Sequence, residues 1–178
     1  MKPLHYYLGG TGAWYLAYGI QGVTFAWLLT IELQLAPDLV GIAQMSLMLP
    51  ALVLMLLGGS LADHFGGKPV AILSQMAAAL GPVYLIVLLT LDGMSYTTII
   101  VFAVYAGSIQ AIVTPARDGL LAEVSEGRLQ RRVMQVSMAQ WGLQMMGFLL
   151  ASNADEIGAE PILVVQAIVL TAGAVCLW

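Results

Sequence analysis

The chain has 178 residues, of which 60% are hydrophobic and only 9% are charged, whereas soluble domains carry roughly 25% charged residues. A soluble protein of this size cannot hide so much apolar surface in one core, so the composition excludes a soluble globular domain. The formal net charge is −4, and a single cysteine, Cys176, excludes a disulfide framework. We therefore expect an integral membrane protein.

Six apolar runs follow one another, each near the length of about 20 residues that a helix needs to cross a membrane. The first has Trp14 and Trp27 near its two ends, which is typical of aromatic belts. Pro50 predicts a kink in the second run, Ser95 is placed to cap the fourth, and Pro115 predicts its end. Residues 1–178 form one domain with predicted spans at 12–31, 39–62, 70–91, 97–114, 133–151 and 161–178.

The charges separate between two sets of connectors. All the basic residues lie before the first span or in the even-numbered connectors: Lys2, Lys68, Arg117, Arg128, Arg131 and Arg132. The opposite connectors carry only acids: Glu32, Asp38, Asp92, Asp155, Glu156 and Glu160. By the positive-inside rule, the N-terminus and the even-numbered connectors are expected to be cytoplasmic. The connector of residues 116–132 is also predicted to hold a short surface helix.

The turn between the second and third spans is rich in small residues. Residues 58–68 are Gly-Gly-Ser-Leu-Ala-Asp-His-Phe-Gly-Gly-Lys. Gly66 and Gly67 are predicted to supply the positive φ angles of a sharp reversal. Asp63 is too polar for the hydrocarbon, and we expect it to meet a helix N-terminus or a cation from another part of the fold.

This turn resembles the signature loop of the major facilitator superfamily, where Gly-x-Leu-Ala-Asp-Arg-x-Gly-Arg-Lys joins the second and third helices. The matching residues are Gly59, Leu61, Ala62, Asp63, Gly66 and Lys68, while His64 and Gly67 stand where the family has arginine. A second segment, Thr-Pro-Ala-Arg at residues 114–117, resembles the branch that includes bacterial siderophore and macrolide exporters. Similar segments occur in lysophospholipid transporters.

The resemblance implies an all-α polytopic membrane protein whose six transmembrane helices form two inverted three-helix repeats, half of a facilitator fold. It implies a secondary active transporter, not an enzyme, that exports small amphipathic or apolar solutes by alternating access with proton coupling. The expected location is the bacterial inner membrane. No cofactor, metal or nucleic acid is expected, and the expected partners are membrane lipids, a small-molecule substrate and a second six-helix half.

Two alternatives stay open at this point. The substrates of the transporter are lysophospholipid-like lipids in one of them. In the other, the chain is a non-transporting truncated scaffold that binds a partner. The resemblance implies that the sequence covers the N-terminal half without the C-terminal half, so we expect a fragment of a longer transporter, a half that dimerises, or a protein that does not transport.

The resemblance also implies roles for two groups of residues. The gating group is Gly59, Leu61, Asp63, Gly66, Lys68 and Arg117. Asp63 is a candidate latch or a plain solvated charge, and Arg117 is expected to pair with Asp63, to bind a lipid phosphate or to set the topology. The cavity-lining group, whose alternative role is interhelical hydrogen bonding, is Tyr18, Gln21, Tyr105, Ser108, Gln110, Gln140 and Gln144. His64 is a candidate pH sensor or a surface residue, and Glu32 a candidate proton carrier or an interfacial charge.

Overall fold

The computed structural model describes residues 2–125 and 129–178, which are almost entirely helical. The elements in chain order are α1 (Lys2–Trp27), a π-helical segment (Leu28–Glu32), α2 (Pro37–Phe65), α3 (Gly67–Thr90), α4 (Tyr96–Val124), α5 (Leu129–Ala151), the short α6 (Ala154–Ile157) and α7 (Ala159–Leu177). The prediction of an all-α fold is confirmed. Each predicted span lies within one long helix, to within one residue at its C-terminal end, except that the first span continues into the π-helical segment.

Local sequence signals explain where several helices begin and end. Pro37 is the first residue of α2, a position where its fixed φ suits the helix. Gly66 alone separates α2 from α3, with a φ of 90°. The Ser95 cap of α4 is confirmed: its Oγ accepts the Thr98 N–H at 3.3 Å, and Thr98 Oγ1 accepts the Ser95 N–H at 2.9 Å. Because only Gly66 lies between α2 and α3, their connector is much shorter than the predicted one of residues 63–69.

The long helices pack side by side in the spatial order α5, α1, α7, α3, α4, α2. The four central helices are α1, α7, α3 and α4, while α5 and α2 lie at the two ends of the row. The π-helical segment and the central helices enclose an apolar core that includes Phe25, Leu28, Leu29, Leu85, Ile99, Phe102 and Leu163. Because α2 packs mainly against α4, it leaves a broad apolar face exposed, with Leu52 and Leu56 among its residues.

Glycines set the spacing at the two ends of this row. A methyl group on Gly107 of α4 would collide with the carbonyl oxygen of Leu47 on α2. A methyl group on Gly147 of α5 would likewise collide with the carbonyl oxygen of Leu16 on α1. The helix backbones therefore touch directly at both places, as small residues permit in membrane helix pairs.

Four of the described helices are long and apolar enough to cross a membrane, namely α2, α3, α4 and α7. The chain is therefore a membrane-embedded, multi-pass protein. Helices α1 and α5 do not reach this measure, and α5 is the more polar of them because it contains Arg131, Arg132 and four glutamines. That α1 and α5 also cross stays a prediction. Arg128 lies outside the described residues.

Helix α4 continues through Pro115, where the sequence predicts its end. Pro115 has no N–H to donate to the preceding turn, yet the helix runs on to Val124. It does so because Leu120 and Leu121 bury their side chains against residues of α1 and α3. The prediction of a separate surface helix is therefore wrong as far as Val124, and these residues form the last turns of α4.

Helix α1 begins at Lys2 rather than near residue 12. The earlier start places Trp14 in the middle of the helix, where its side chain is only 8% exposed. The prediction that Trp14 belongs to an aromatic belt is wrong, since it is a core residue. Trp27 lies at the opposite end of the bundle, where its Nε1 donates a 2.5 Å hydrogen bond to Oδ1 of Asp155 on α6.

Candidate functional site

A buried arginine lies near the C-terminal end of α4. Arg117 is only 4% exposed, because α4 continues past Pro115 and carries it between the neighbouring helices. Its Nη2 donates a 2.8 Å hydrogen bond to Oε1 of Gln75 on α3. Its guanidinium carbon lies 4.2 Å from the centroid of the Trp14 ring on α1. One cationic group therefore joins α1, α3 and α4.

Gln75 extends these contacts to a fourth helix. Its side chain is fully buried, and its Nε2 donates to the carbonyl oxygens of Gly10 on α1 at 3.2 Å and Leu170 on α7 at 3.3 Å. The Tyr7 hydroxyl donates to the backbone oxygen of Arg117 at 3.3 Å. Tyr7, Trp14, Gln75 and Arg117, here called the arginine network, thus connect all four central helices.

The groups in direct contact with the Arg117 charge are neutral, while the exposed carboxylate of Asp118 attracts it without a direct ion pair. A guanidinium stays protonated in proteins, and removing such a charge from water costs several kcal/mol unless other contacts offset it. The described contacts of the Arg117 guanidinium are the Gln75 amide and the Trp14 ring face, which attracts cations. Its Nε is buried without a hydrogen-bond partner among the described residues. These contacts only just offset the free-energy cost of burying the charge. Removing either Gln75 or Trp14 is therefore expected to lower the stability of the fold.

The signature-loop residues lie at the same end of the bundle as the arginine network. Lys68 is exposed, and its Nζ donates a 2.7 Å hydrogen bond to the backbone oxygen of Trp178, next to the end of α7. Gly67 is buried in the first turn of α3, where a Cβ atom would lie 2.7 Å from the Ala116 oxygen on α4. The positive φ predicted for Gly67 is wrong, because that conformation occurs at Gly66 alone in this turn. Gly67 instead permits a close approach between α3 and α4.

Asp63 and Arg117 do not pair in this structure. Asp63 is exposed near the end of α2, whereas the Arg117 guanidinium is buried and donates to Gln75. The same burial separates Arg117 from lipid phosphate. His64 is exposed, and its ring lies edge-on to that of Phe65. The latch role of Asp63, and the gating role of Gly59, Leu61, Gly66, Lys68 and Arg117, stay predictions.

A small cavity lies among the four central helices, near the middle of α1 and α4. Its polar lining residues are Tyr18, Gln21, Tyr105, Gln110 and Gln166. The space open to the centre of a water molecule is about 20 Å³, which suits about one ordered water. The Tyr105 hydroxyl donates to the Ala77 oxygen at 2.6 Å, and Gln166 Nε2 donates to the Ala17 oxygen at 3.3 Å.

Three of the predicted cavity residues lie elsewhere. Ser108 of α4 donates its hydroxyl to the Val104 oxygen, one turn earlier, at 2.7 Å. Gln140 and Gln144 are half-buried on α5, outside the lining of this cavity. The structure therefore brings together Tyr18, Gln21, Tyr105 and Gln110 but not the other three. A contact between substrate and any of the seven stays a prediction.

A family model for the Major Facilitator Superfamily matches residues 8–178, which include the signature loop, the arginine network and the central cavity. The chain belongs to the Major Facilitator Superfamily. As a member of this superfamily of membrane transporters, it is a multi-pass protein of transmembrane transport. A comparison with curated proteins gives no match.

Two buried glutamines of this superfamily member receive no role from the sequence analysis. Gln75 and Gln166 are 0% and 1% exposed. The Gln75 amide donates to carbonyl oxygens on α1 and α7, and the Gln166 amide donates to the Ala17 oxygen on α1. The sequence feature that could have predicted a role for them is the amide group, because a polar side chain inside an apolar span must form hydrogen bonds within the bundle. That feature predicts a partner without saying which helix supplies it.

Proposed function

We propose that the chain is the six-helix half of a secondary active transporter that exports small amphipathic or apolar solutes by alternating access. The observation that carries the proposal is the polar lining of the central cavity, which holds about one water in this structure and has to widen to admit a solute. Two helices, α1 and α4, contribute Tyr18, Gln21, Tyr105 and Gln110 to its lining near their midpoints. In transporters of this architecture, substrates bind near the membrane midplane between helices of the repeats.

The chemistry of the lining supports an uncharged or amphipathic substrate. The described lining residues are aromatic, aliphatic, or neutral amides and phenols. A strongly charged solute would lose its hydration there without an ionised partner, which is costly inside a membrane. Amides and phenols can nevertheless bond one polar end of a solute while its apolar part contacts Trp14, Phe102 and Ile109.

The proposal assigns the chain to the siderophore- and macrolide-exporter-like branch, with lysophospholipid-like lipids as the alternative substrate class. Its support is the Thr-Pro-Ala-Arg segment at residues 114–117. A proton gradient is the proposed driving force. Glu32 is exposed at the end of the π-helical segment, which favours an interfacial charge over a proton carrier within a span.

Two inverted three-helix repeats are part of the proposal, the first made of α1, α2 and α3 and the second of α4, α5 and α7. The pattern of neighbours supports this pairing. The contact of α1 with α5 corresponds to that of α4 with α2, and the contact of α1 with α7 corresponds to that of α4 with α3. Exchanging the repeats therefore leaves the list of main helix contacts unchanged.

A second six-helix half is the proposed partner, with α2 and α5 facing it. Both helices carry exposed apolar residues, among them Leu52 and Leu56 on α2 and Met138 and Trp141 on α5. A scaffold that binds another membrane protein through the same faces is the alternative. The two functions separate in an efflux assay, since the scaffold has no solute to move.

The proposed orientation places the N-terminus in the cytoplasm of a bacterium whose inner membrane holds the protein. Lys68, Tyr7 and Leu120 line one groove at one end of the bundle, so the ends of α1, α3 and α4 that carry them meet there. Engineered cysteines at positions 68 and 130 should both be labelled from the cytoplasmic side. Labelling from opposite sides would refute the six-span topology.

The central test is efflux from cells that express the intact gene, with a macrolide, an uncharged hydroxamate siderophore and lysophosphatidylcholine as solutes. Gln110→Leu should lower efflux of the transported solute at least tenfold, because the cavity loses an amide. Ser108→Ala, on the same helix but outside the cavity, is the control and should transport normally. Equal efflux by both variants would refute the role of the cavity.

The variant Asp63→Asn tests the proposed latch role of Asp63 separately, and unchanged efflux would refute that role.

A further inference from the structure

A continuous groove runs between α3 and α7 on the outside of the bundle. It has two sections of about 660 and 720 Å³, which join because both are lined by Met76 and Val175. Further apolar walls come from Pro69, Ile72, Leu73, Leu80, Val83 and Ile168. We call it the α3–α7 groove.

The walls of the α3–α7 groove offer little to a polar ligand. Thr171 is the polar residue in its longer section, and its hydroxyl donates to the Ala167 oxygen of its own helix at 2.8 Å. Ala167 and Ala172 line the same section, and their small side chains make the surface concave. Such a surface matches a flexible hydrocarbon chain.

A cation stands at one end of this apolar groove. Lys68 lines one end of the groove, and its side chain is exposed. It lies in the first turn of α3, where the helix dipole adds partial positive charge. This end of the groove therefore favours an anion.

The distance along the groove fits one lipid tail. Lys68 and Val83 are 15 residues apart on α3, which corresponds to about 22 Å along the helix axis. One leaflet contributes about half of a hydrocarbon core that is about 30 Å thick. A chain that begins at the level of Lys68 therefore has apolar wall beside it through the whole leaflet.

We propose that the α3–α7 groove is a binding site for one anionic phospholipid, with its phosphate at Lys68 and one acyl chain along α3 and α7. Charge selects the anionic lipid, because a zwitterionic headgroup brings a cation of its own to Lys68. The site requires a membrane-embedded chain but not transport. A lipid-binding measurement therefore fails or succeeds independently of the efflux assay.

The test is native mass spectrometry of the full chain in detergent, with phosphatidylglycerol or phosphatidylcholine added at equal concentration. Lys68→Gln should weaken phosphatidylglycerol binding about fivefold, which corresponds to about 1 kcal/mol for one basic residue at a membrane surface. Phosphatidylcholine binding should not change. Lys68→Arg should restore the preference, and Arg131→Gln, which removes an exposed cation on α5, should leave it intact.

A second variant tests the tail. Ala172→Phe places a ring in the groove and should reduce binding of both lipids, whereas Val133→Phe on the exposed face of α5 should not. Unfolding temperatures of all variants report whether they are folded. Equal binding of phosphatidylglycerol by the wild type and Lys68→Gln would overturn the proposal. Equal affinity for the two lipids, or a second protein copy that blocks lipid binding, would also overturn it.

Discussion

The most informative perturbation is Gln75→Leu, because Gln75 is the hydrogen-bond acceptor of a buried cation. Leucine has a similar size, so the substitution leaves no large cavity. It removes the 2.8 Å acceptor of Arg117 and the donors to Gly10 and Leu170. The guanidinium then remains buried with the Trp14 ring as its described partner.

Two estimates of the cost compete. An ordinary interhelical hydrogen bond in a membrane protein is worth about 0.6 kcal/mol, so three such bonds would cost about 2 kcal/mol. Removing one partner of a buried charge instead costs about 3–5 kcal/mol. Because Arg117 is 4% exposed and Gln75 is fully buried, we expect the larger value. For a chain of this size, it corresponds to a decrease in unfolding temperature of about 6–20 °C.

The double-mutant cycle with Arg117→Met separates the two estimates. Arg117→Met alone should cost about 1–3 kcal/mol, since it leaves the Gln75 oxygen without a donor. The double variant places two apolar side chains together, so it should be more stable than Gln75→Leu alone. Reversible unfolding of the purified full chain in mixed micelles, followed by circular dichroism, measures each free energy. Additive single effects would refute our account of Arg117 as a charge that depends on Gln75.

Three further predictions concern the packing. Gly107→Leu should prevent α2 from packing on α4 and abolish the folded protein in detergent, while Gly142→Leu, which has open space around it, should fold normally in size-exclusion chromatography. Ser95→Ala should lower the free energy of unfolding by about 1 kcal/mol, since the cap of α4 is lost, and denaturant titration checks this. Asp155→Ala removes the hydrogen bond from Trp27 at an exposed residue and should cost less than about 1 kcal/mol in the same titration.

The apolar runs of the sequence predict the number and approximate positions of the long helices, because backbone polar groups in lipid must be satisfied within each segment. Helix ends are harder to predict where tertiary packing overrides local signals. Pro115 is a helix breaker by its chemistry, but burial of Leu120 and Leu121 keeps α4 intact beyond it. Trp14 is typical of an interface by residue type, but the N-terminal extension of α1 buries it.

The candidate site is predictable to a smaller extent. The signature loop is a contiguous motif, so its residues can be read directly. The arginine network joins residues that are 42 and 110 positions apart in the chain, and nothing in the local sequence pairs them. The polarity of Gln75 predicts that it needs a partner, whereas the identity of that partner depends on the order in which the helices pack.

These contacts limit how the proposed six-helix half can move during transport. The arginine network fixes α1, α3, α4 and α7 to one another at one end, while α2 and α5 are attached at the ends of the row through close backbone contacts at Gly107 and Gly147. Rocking of two halves around a central site requires each half to keep its internal packing while the interface between them changes. The buried charge of Arg117 favours intact packing, because any separation of the central helices would leave it without its neutral partners.

The same charge limits how the cavity can change shape, since Trp14 belongs both to the arginine network and to the cavity lining. A solute that displaced the Trp14 ring would weaken the arginine network. We therefore expect transported solutes to enlarge the cavity on the side of Tyr105 and Gln110.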